Sequence, residues 1–166
     1  MAAEQVVTGC KGQDTMLGGG LLPGSMALVR GAPATGKTSL ALRFLMRGAR
    51  QNESGRFISF DEFLESLYRD ARSLGWDLRD LEEEGRSGYS EAFKGGLSFL
   101  VDVIILMPYL EIDSAIQRAI LVLKMRDSVH AKEVCRYVIE AGGLQVTDVF
   151  EGRQGLLSGT AHEALG

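Results

Sequence analysis

The stretch "VRGAPATGKTSLAL", Val29 to Leu42, decides the fold. Within it, Gly31-Ala32-Pro33-Ala34-Thr35-Gly36-Lys37-Thr38 fits G-x-x-x-x-G-K-[ST] at every defined position. Upstream, "SMALVRG" is a short apolar run ending in glycine, which predicts a strand over Met26 to Arg30. Downstream, Leu40, Ala41, Phe44 and Leu45 recur at helical spacing with Arg43 and Arg47 turned away, predicting a helix to about Ala49. Strand, glycine loop and helix in this order form an anion cradle: the glycines let successive N–H groups face one point, and the helix adds the positive end of its dipole. The candidate contacts are Gly31, Ala32, Pro33, Ala34, Thr35, Gly36, Lys37, Thr38 and Ser39. Lys37 would reach the β and γ phosphates of a nucleotide, and the Thr38 hydroxyl would supply a hard oxygen to Mg²⁺.

Outward from this loop, "RFISF" at Arg56 to Phe60 reads as a second strand. "DEFLESLYRDARSLG" reads as a helix with Leu64, Leu67, Tyr68, Ala71 and Leu74 on one stripe, ending at Gly75. Alternating strand and helix predict a parallel sheet. From Ser87 to Gly96 the sequence has turn residues and no period. Phe99 to Leu110 and Ala115 to Met125 are two apolar runs separated by "EIDS", the pattern of an antiparallel hairpin, and Pro108 puts the first run at a sheet edge because it cannot donate to the ladder. Arg136 to Ile139 and Leu144 to Val149 add two short strands around Gly142-Gly143.

Composition bounds the function. The 166 residues are 45% hydrophobic, enough for one domain with a real core, and a net charge of −4 gives nucleic acid no electrostatic support. Cys10 and Cys135 have neither CxxC spacing nor nearby histidines, so they read as reduced residues outside any metal site. "MAAEQVVTG" lacks a basic segment followed by an apolar one, and the longest apolar run, Val103 to Met107, is too short for a bilayer, which predicts a cytoplasmic protein without a membrane segment.

Beyond the loop, "TGCKGQDTMLGGGLLPGSMALVRGAPATGKTSLALRFL" resembles the opening of the KaiC/RadA branch of RecA-like ATPases, with its T-G-x-x-x-x-D-x-x-L-G-G-G approach. The similarity continues through "ISFDEFLESLYRDARSLGWDLRDLEEEG", "LVDVIILMPYLEIDSAIQRAILVLKMRDSVH" and "EGRQGLLSG". This resemblance implies an α/β RecA-like P-loop core over residues 1–152, a mostly parallel sheet flanked by helices with an antiparallel edge hairpin. Residues 153–166 would be a flexible tail. The implied cofactors are ATP and Mg²⁺. The implied state is a homo-oligomer, a ring or stack, with a hexamer the form the family points to.

The resemblance also assigns residues. An acidic pair at the exit of the second core strand orients the attacking water, here Asp61 and Glu62, with Asp61 shorter than the usual glutamate. Such a pair would equally suit a helix N-terminus through its dipole. The K-x-R element of "LKMRDSVH" would place Lys124 and Arg126 on the nucleotide of a neighbouring subunit, where arginine can offset charge developing on the transferred phosphoryl group. His130 and Lys132 fall where relatives sometimes meet the neighbour's base or ribose.

The chain departs from the pattern in one interval. Between the "GWDL" helix and the hairpin the family has further strand and helix units, including the Walker B strand that ends in a Mg²⁺-supporting aspartate; here residues 86–98 fill that space. Asp102 does not replace it, because the apolar run continues after it, whereas such an aspartate lies at a strand's exit. A deletion seam near 86–98 follows, leaving sheet edges beside the loop strand to be covered otherwise. Two functions remain open: a Mg²⁺-dependent ATPase whose site a neighbour completes, and a non-hydrolysing nucleotide-binding regulatory module. A P-loop kinase would need an arginine-bearing lid, and the sequence shows no such segment.

Overall fold

The computed structural model describes residues 4–53, 55–59, 64–83, 87–91, 101–126, 129–151, 153–154 and 162–163. In chain order the elements are α1 (Gln13–Met16), β1 (Ala27–Gly31), α2 (Lys37–Arg50), β2 (Gly55–Ser59), α3 (Leu64–Ser73), α4 (Leu78–Glu83), β3 (Ser87–Glu91), β4 (Val103–Met107), β5 (Tyr109–Ile112), β6 (Ala115–Met125), β7 (Cys135–Glu140), β8 (Gly143–Val149), β9 (Arg153–Gln154) and β10 (His162–Glu163).

The main sheet runs β1-β4-β6-β7-β8, with β5 on β6. β1 pairs parallel with β4 from Ala27↔Val103 to Gly31↔Met107, and the remaining pairs are antiparallel. β2 and β3 form a separate parallel pair. The parallel pairing expected from strand-helix alternation is therefore present twice, but β1 and β2 share no described sheet. The strand over Ser87–Glu91 is a correction to the turn-like reading of Ser87 to Gly96: one glycine, two serines and a glutamate around Tyr89 carry no apolar alternation, and pairing along β2 supplies the order that propensity does not.

The hairpin forms, with its turn tightened to Asp113-Ser114, both at positive φ, between Ile112 and Ala115. Its first arm is broken at Pro108, whose carbonyl accepts from the Ala119 N–H. β4 is internal, between β1 and β6, so the expected edge position holds only from Pro108 onward, where β1 has ended and β5 keeps β6 as its described neighbour. Residues 153–154 and 162–163 pair with each other, so the described part of the segment expected to be a flexible tail is a short antiparallel ladder. The seam at 86–98 lies outside the described residues except for Ser87–Glu91.

α2 joins two cores. Leu40 packs into the cluster of Val103, Ile105, Met107, Ile120, Val122 and Tyr137, while Leu42 and Met46 pack with Leu67, Ala71, Trp76 and Leu78. The buried face is thus Leu42, Met46 and Ala49 at i, i+4 and i+7, with Leu40 at the start. This corrects the expected stripe: Phe44 is exposed, and Arg43 faces inward, its guanidinium over the Trp76 ring at 5.8 Å. A helix between two layers has two apolar sides, which a single-stripe reading cannot separate.

Only one edge of β1 is paired among the described residues. Met26 and Leu28 are 44% and 45% exposed, unusual for the strand that carries the loop.

Candidate functional site: the phosphate loop

Local chemistry shapes the loop. β1 ends at Gly31, where a Cβ would lie 2.6 Å from both the Met107 carbonyl oxygen and Thr35 Oγ1, so no larger residue lets the chain turn so close to β4. Ala34 and Gly36 both take positive φ, 61° and 89°. Alternating backbone hand between neighbouring residues turns successive N–H groups to one side, the geometry of an anion nest. Gly36 also lies against Ile139, whose Cδ1 would be 2.4 Å from an added Cβ. α2 then starts at Lys37, and the Leu40 N–H closes its first turn on the Gly36 carbonyl at 2.9 Å.

The loop is held from below. Thr35 is fully buried, and its hydroxyl donates to the Ala32 carbonyl at 2.9 Å. Tyr137 on β7 donates its hydroxyl to the Thr35 carbonyl, and burial pushes that phenol's pKa up to about 12, so it remains a donor throughout the neutral range. Tyr109 on β5 donates to the Pro33 carbonyl at 3.4 Å. These three contributors, Tyr109, Tyr137 and Ile139, lie more than 70 residues beyond the loop. They carry no motif, and the apolar "RYVI" run signals a strand but not its place under the loop.

Lys37 folds over the cradle, donating from Nζ to the carbonyls of Gly31 at 3.0 Å and Ala32 at 2.8 Å. Its ammonium therefore sits at the mouth of the loop, where phosphate oxygens would replace two carbonyls as acceptors. Thr38 and Ser39, the next residues of α2, are half-buried. No cluster of three or more His, Cys, Asp or Glu exists among the described residues. The donor set fits Mg²⁺ carried in with a nucleotide: this ion keeps most of its water and takes few protein ligands, and one threonine hydroxyl beside phosphate oxygens meets that demand.

The other expected residues divide. Asp61 and Glu62 lie outside the described residues. Lys124 and Arg126 stand at the opposite end of β1 from the loop, because Met125 pairs with Val103, which pairs with Ala27. Four strand residues, about 13 Å, separate that end from Gly31. There Lys124 Nζ donates to the Val101 carbonyl at 2.9 Å, and Arg126 pairs with Asp102 at 3.3 Å. Asp102 also accepts from the Met26 N–H at 3.0 Å. Its carboxylate lies before β4, at the wrong end of the sheet for the nucleotide, as expected. His130 is half-buried and Lys132 exposed.

A glycine loop between a strand paired in parallel and a helix, with lysine at its mouth, defines a P-loop nucleotide-binding protein of RecA-like α/β architecture. Comparison with known proteins narrows the class: residues 6–98, more than half of the chain, match the KaiC ATPase family, and the chain belongs to it. It is 36% identical over 97 residues to a UPF0273 protein of Methanopyrus kandleri, covering 58% of this chain and 38% of that protein. A UPF0273 protein of Pyrobaculum aerophilum is 31% identical over 144 residues, covering 86% and 46%. The circadian clock oscillator protein KaiC of Thermostichus vulcanus is 27% identical over 232 aligned positions, covering 94% and 45%. The chain thus spans less than half the length of these relatives. The last alignment is longer than the 166-residue chain itself, so that relative carries a long stretch with no counterpart here.

Proposed function

We propose that this chain binds Mg²⁺-ATP in the Gly31–Thr38 loop and hydrolyses it in an assembly of identical chains, a ring or stack. The observation that carries the reading is the Lys37 ammonium held over an alternating-hand loop at the start of α2. Backbone N–H groups and Lys37 bind the phosphates, and Thr38 would hold Mg²⁺, whose charge would offset that of the phosphate oxygens. Asp61 or Glu62 positions water by accepting its proton. Lys124 and Arg126 lie too far from their own loop to serve it, so they act on a neighbour's nucleotide; in doing so Arg126 exchanges Asp102 for phosphate oxygens. Such an exposed ion pair is worth at most about 1 kcal/mol, so the exchange is cheap.

ATP turnover measured as protein concentration rises, with native mass in parallel, tests this. Specific activity should climb with assembly, and Arg126→Ala should lower turnover while leaving ATP affinity near its original value. Concentration-independent turnover by a monomer overturns the assignment in trans.

A second reading is favoured by one observation: among the described residues one edge of β1 has no strand partner, so no described strand there brings a carboxylate toward the loop. On that reading the chain binds ATP as a regulatory module without cleaving it. Tight ATP binding with no turnover above a Lys37→Ala control selects it.

A further inference from the structure

A cavity of about 410 Å³ lies away from the phosphate loop. It lies beside the second half of α2, where the "TGCKGQD" turn crosses the helix. Lys11, Arg43, Arg47 and Arg50 line it, with Asp14 the one carboxylate among the described lining residues. That carboxylate is already spent: it accepts from the Thr8 N–H and hydroxyl, each at 2.7 Å, and from the Gly9 N–H at 3.3 Å. Among the described residues no carboxylate pairs with any of the four cations. A local excess of positive charge therefore gathers on a chain whose net charge is −4.

The cations are positioned by the same turn. Gly9 has φ +77°, and a Cβ there would lie 3.0 Å from Arg47 Cβ and 3.2 Å from its Cγ, so the bare backbone is what lets the Arg47 stem cross it. The Gly9 carbonyl accepts from Arg43 Nε at 2.8 Å, and Trp76 stacks on the same guanidinium. Arg43, Arg47 and Arg50 follow at i, i+4 and i+7, one line along the helix about 10 Å long. Dipole stabilisation of the last turn accounts for Arg47 and Arg50 on a helix surface. It does not account for Lys11 facing them from another segment across a cavity.

We propose that this cavity is a second anion site, which binds a compact polyphosphate, inorganic or the phosphate tail of a nucleotide. Guanidinium groups bind phosphate oxygens through paired N–H donors, and three in a row with a lysine opposite match several phosphoryl groups close together. Among the described residues no aromatic ring lines the cavity to stack a base. The proposal does not depend on ATP hydrolysis at the loop.

The test uses the full chain carrying Lys37→Ala, titrated with sodium tripolyphosphate by calorimetry and by amide NMR. The expected result is saturable binding of one equivalent, shifts at Gly9, Lys11 and Gly12, and affinity that falls as salt rises. Adding Arg47→Gln and Arg50→Gln should weaken binding about tenfold or more, since each removes a charge-assisted contact. If that variant does not fold, Lys11→Gln, exposed in the turn, takes its place. ATP in the same background separates the sources: competition with tripolyphosphate identifies a site open to a nucleotide's tail, and lack of it a site confined to inorganic polyphosphate. No saturable binding, affinity unchanged by the arginine substitutions, or shifts confined to residues 31–38 would each overturn the proposal.

Discussion

The two edges of β1 are unlike each other. Toward β4, all five residues are paired in parallel register, and Ile105 and Met107 beneath are buried. Toward the other edge, no described strand pairs with β1, and β2 and β3 stand apart as their own sheet, joined to the rest through α2. The phosphate loop survives this asymmetry because its supports come from the closed side: Met107 against Gly31, Tyr109 under Pro33, Tyr137 under Thr35 and Ile139 against Gly36. Every described support of the cradle thus comes from one flank of β1.

The strongest way to break the comparison is Ile105→Ala on the closed side. It should cost about 2–5 kcal/mol as a buried cavity, read as a lowered denaturation midpoint with unchanged slope. Next, Lys37→Ala should weaken ATP binding roughly a hundredfold, about 2.7 kcal/mol, by calorimetry, with little change in stability. Undiminished affinity would remove the loop as the binding site.

Tyr137→Phe sharpens the contrast at smaller scale. It should cost about 1 kcal/mol, because the buried Thr35 carbonyl loses its donor. The same phenol gives a pH signature. Its pKa is raised from 10.0 to about 12 by burial, so the folded state favours the protonated form. The stability it contributes is whole below pH 10 and lost as pH rises through about 12. Denaturation curves at pH 9 and 11.5 should therefore diverge in the original protein and lie closer together in Tyr137→Phe.

The smallest effect belongs to the open edge. Leu28→Lys should change stability by no more than about 0.5 kcal/mol, since the side chain is already exposed, yet reduce nonspecific association in light scattering. A larger loss would mean that β1 has a partner on that side.

What was legible in the chain was what local chemistry dictates. The turn from strand to helix at Gly31–Thr38 follows from glycine spacing, and the Asp113-Ser114 hairpin from two apolar runs about a short polar link. The "TGCKGQD" approach was visible as a resemblance, but its physical reason, Asp14 closing the turn on Thr8 and Gly9, appears only in the folded chain. Arg43 was misplaced because a helix between two cores has no single polar side. The strand at Ser87–Glu91 was missed because its order comes from its neighbour.

The sequence by itself determined the cradle, the lysine at its mouth and the family, because these depend on residues adjacent along the chain. Only the tertiary structure decided what lies around them: which edge of β1 is closed, that Tyr137 and Ile139 support a loop about a hundred residues away, that Lys124 and Arg126 sit at the far end of the sheet, and that four cations meet at one cavity. Each depends on strand order and on how α2 seats between two cores, and long-range packing, not local spacing, sets both.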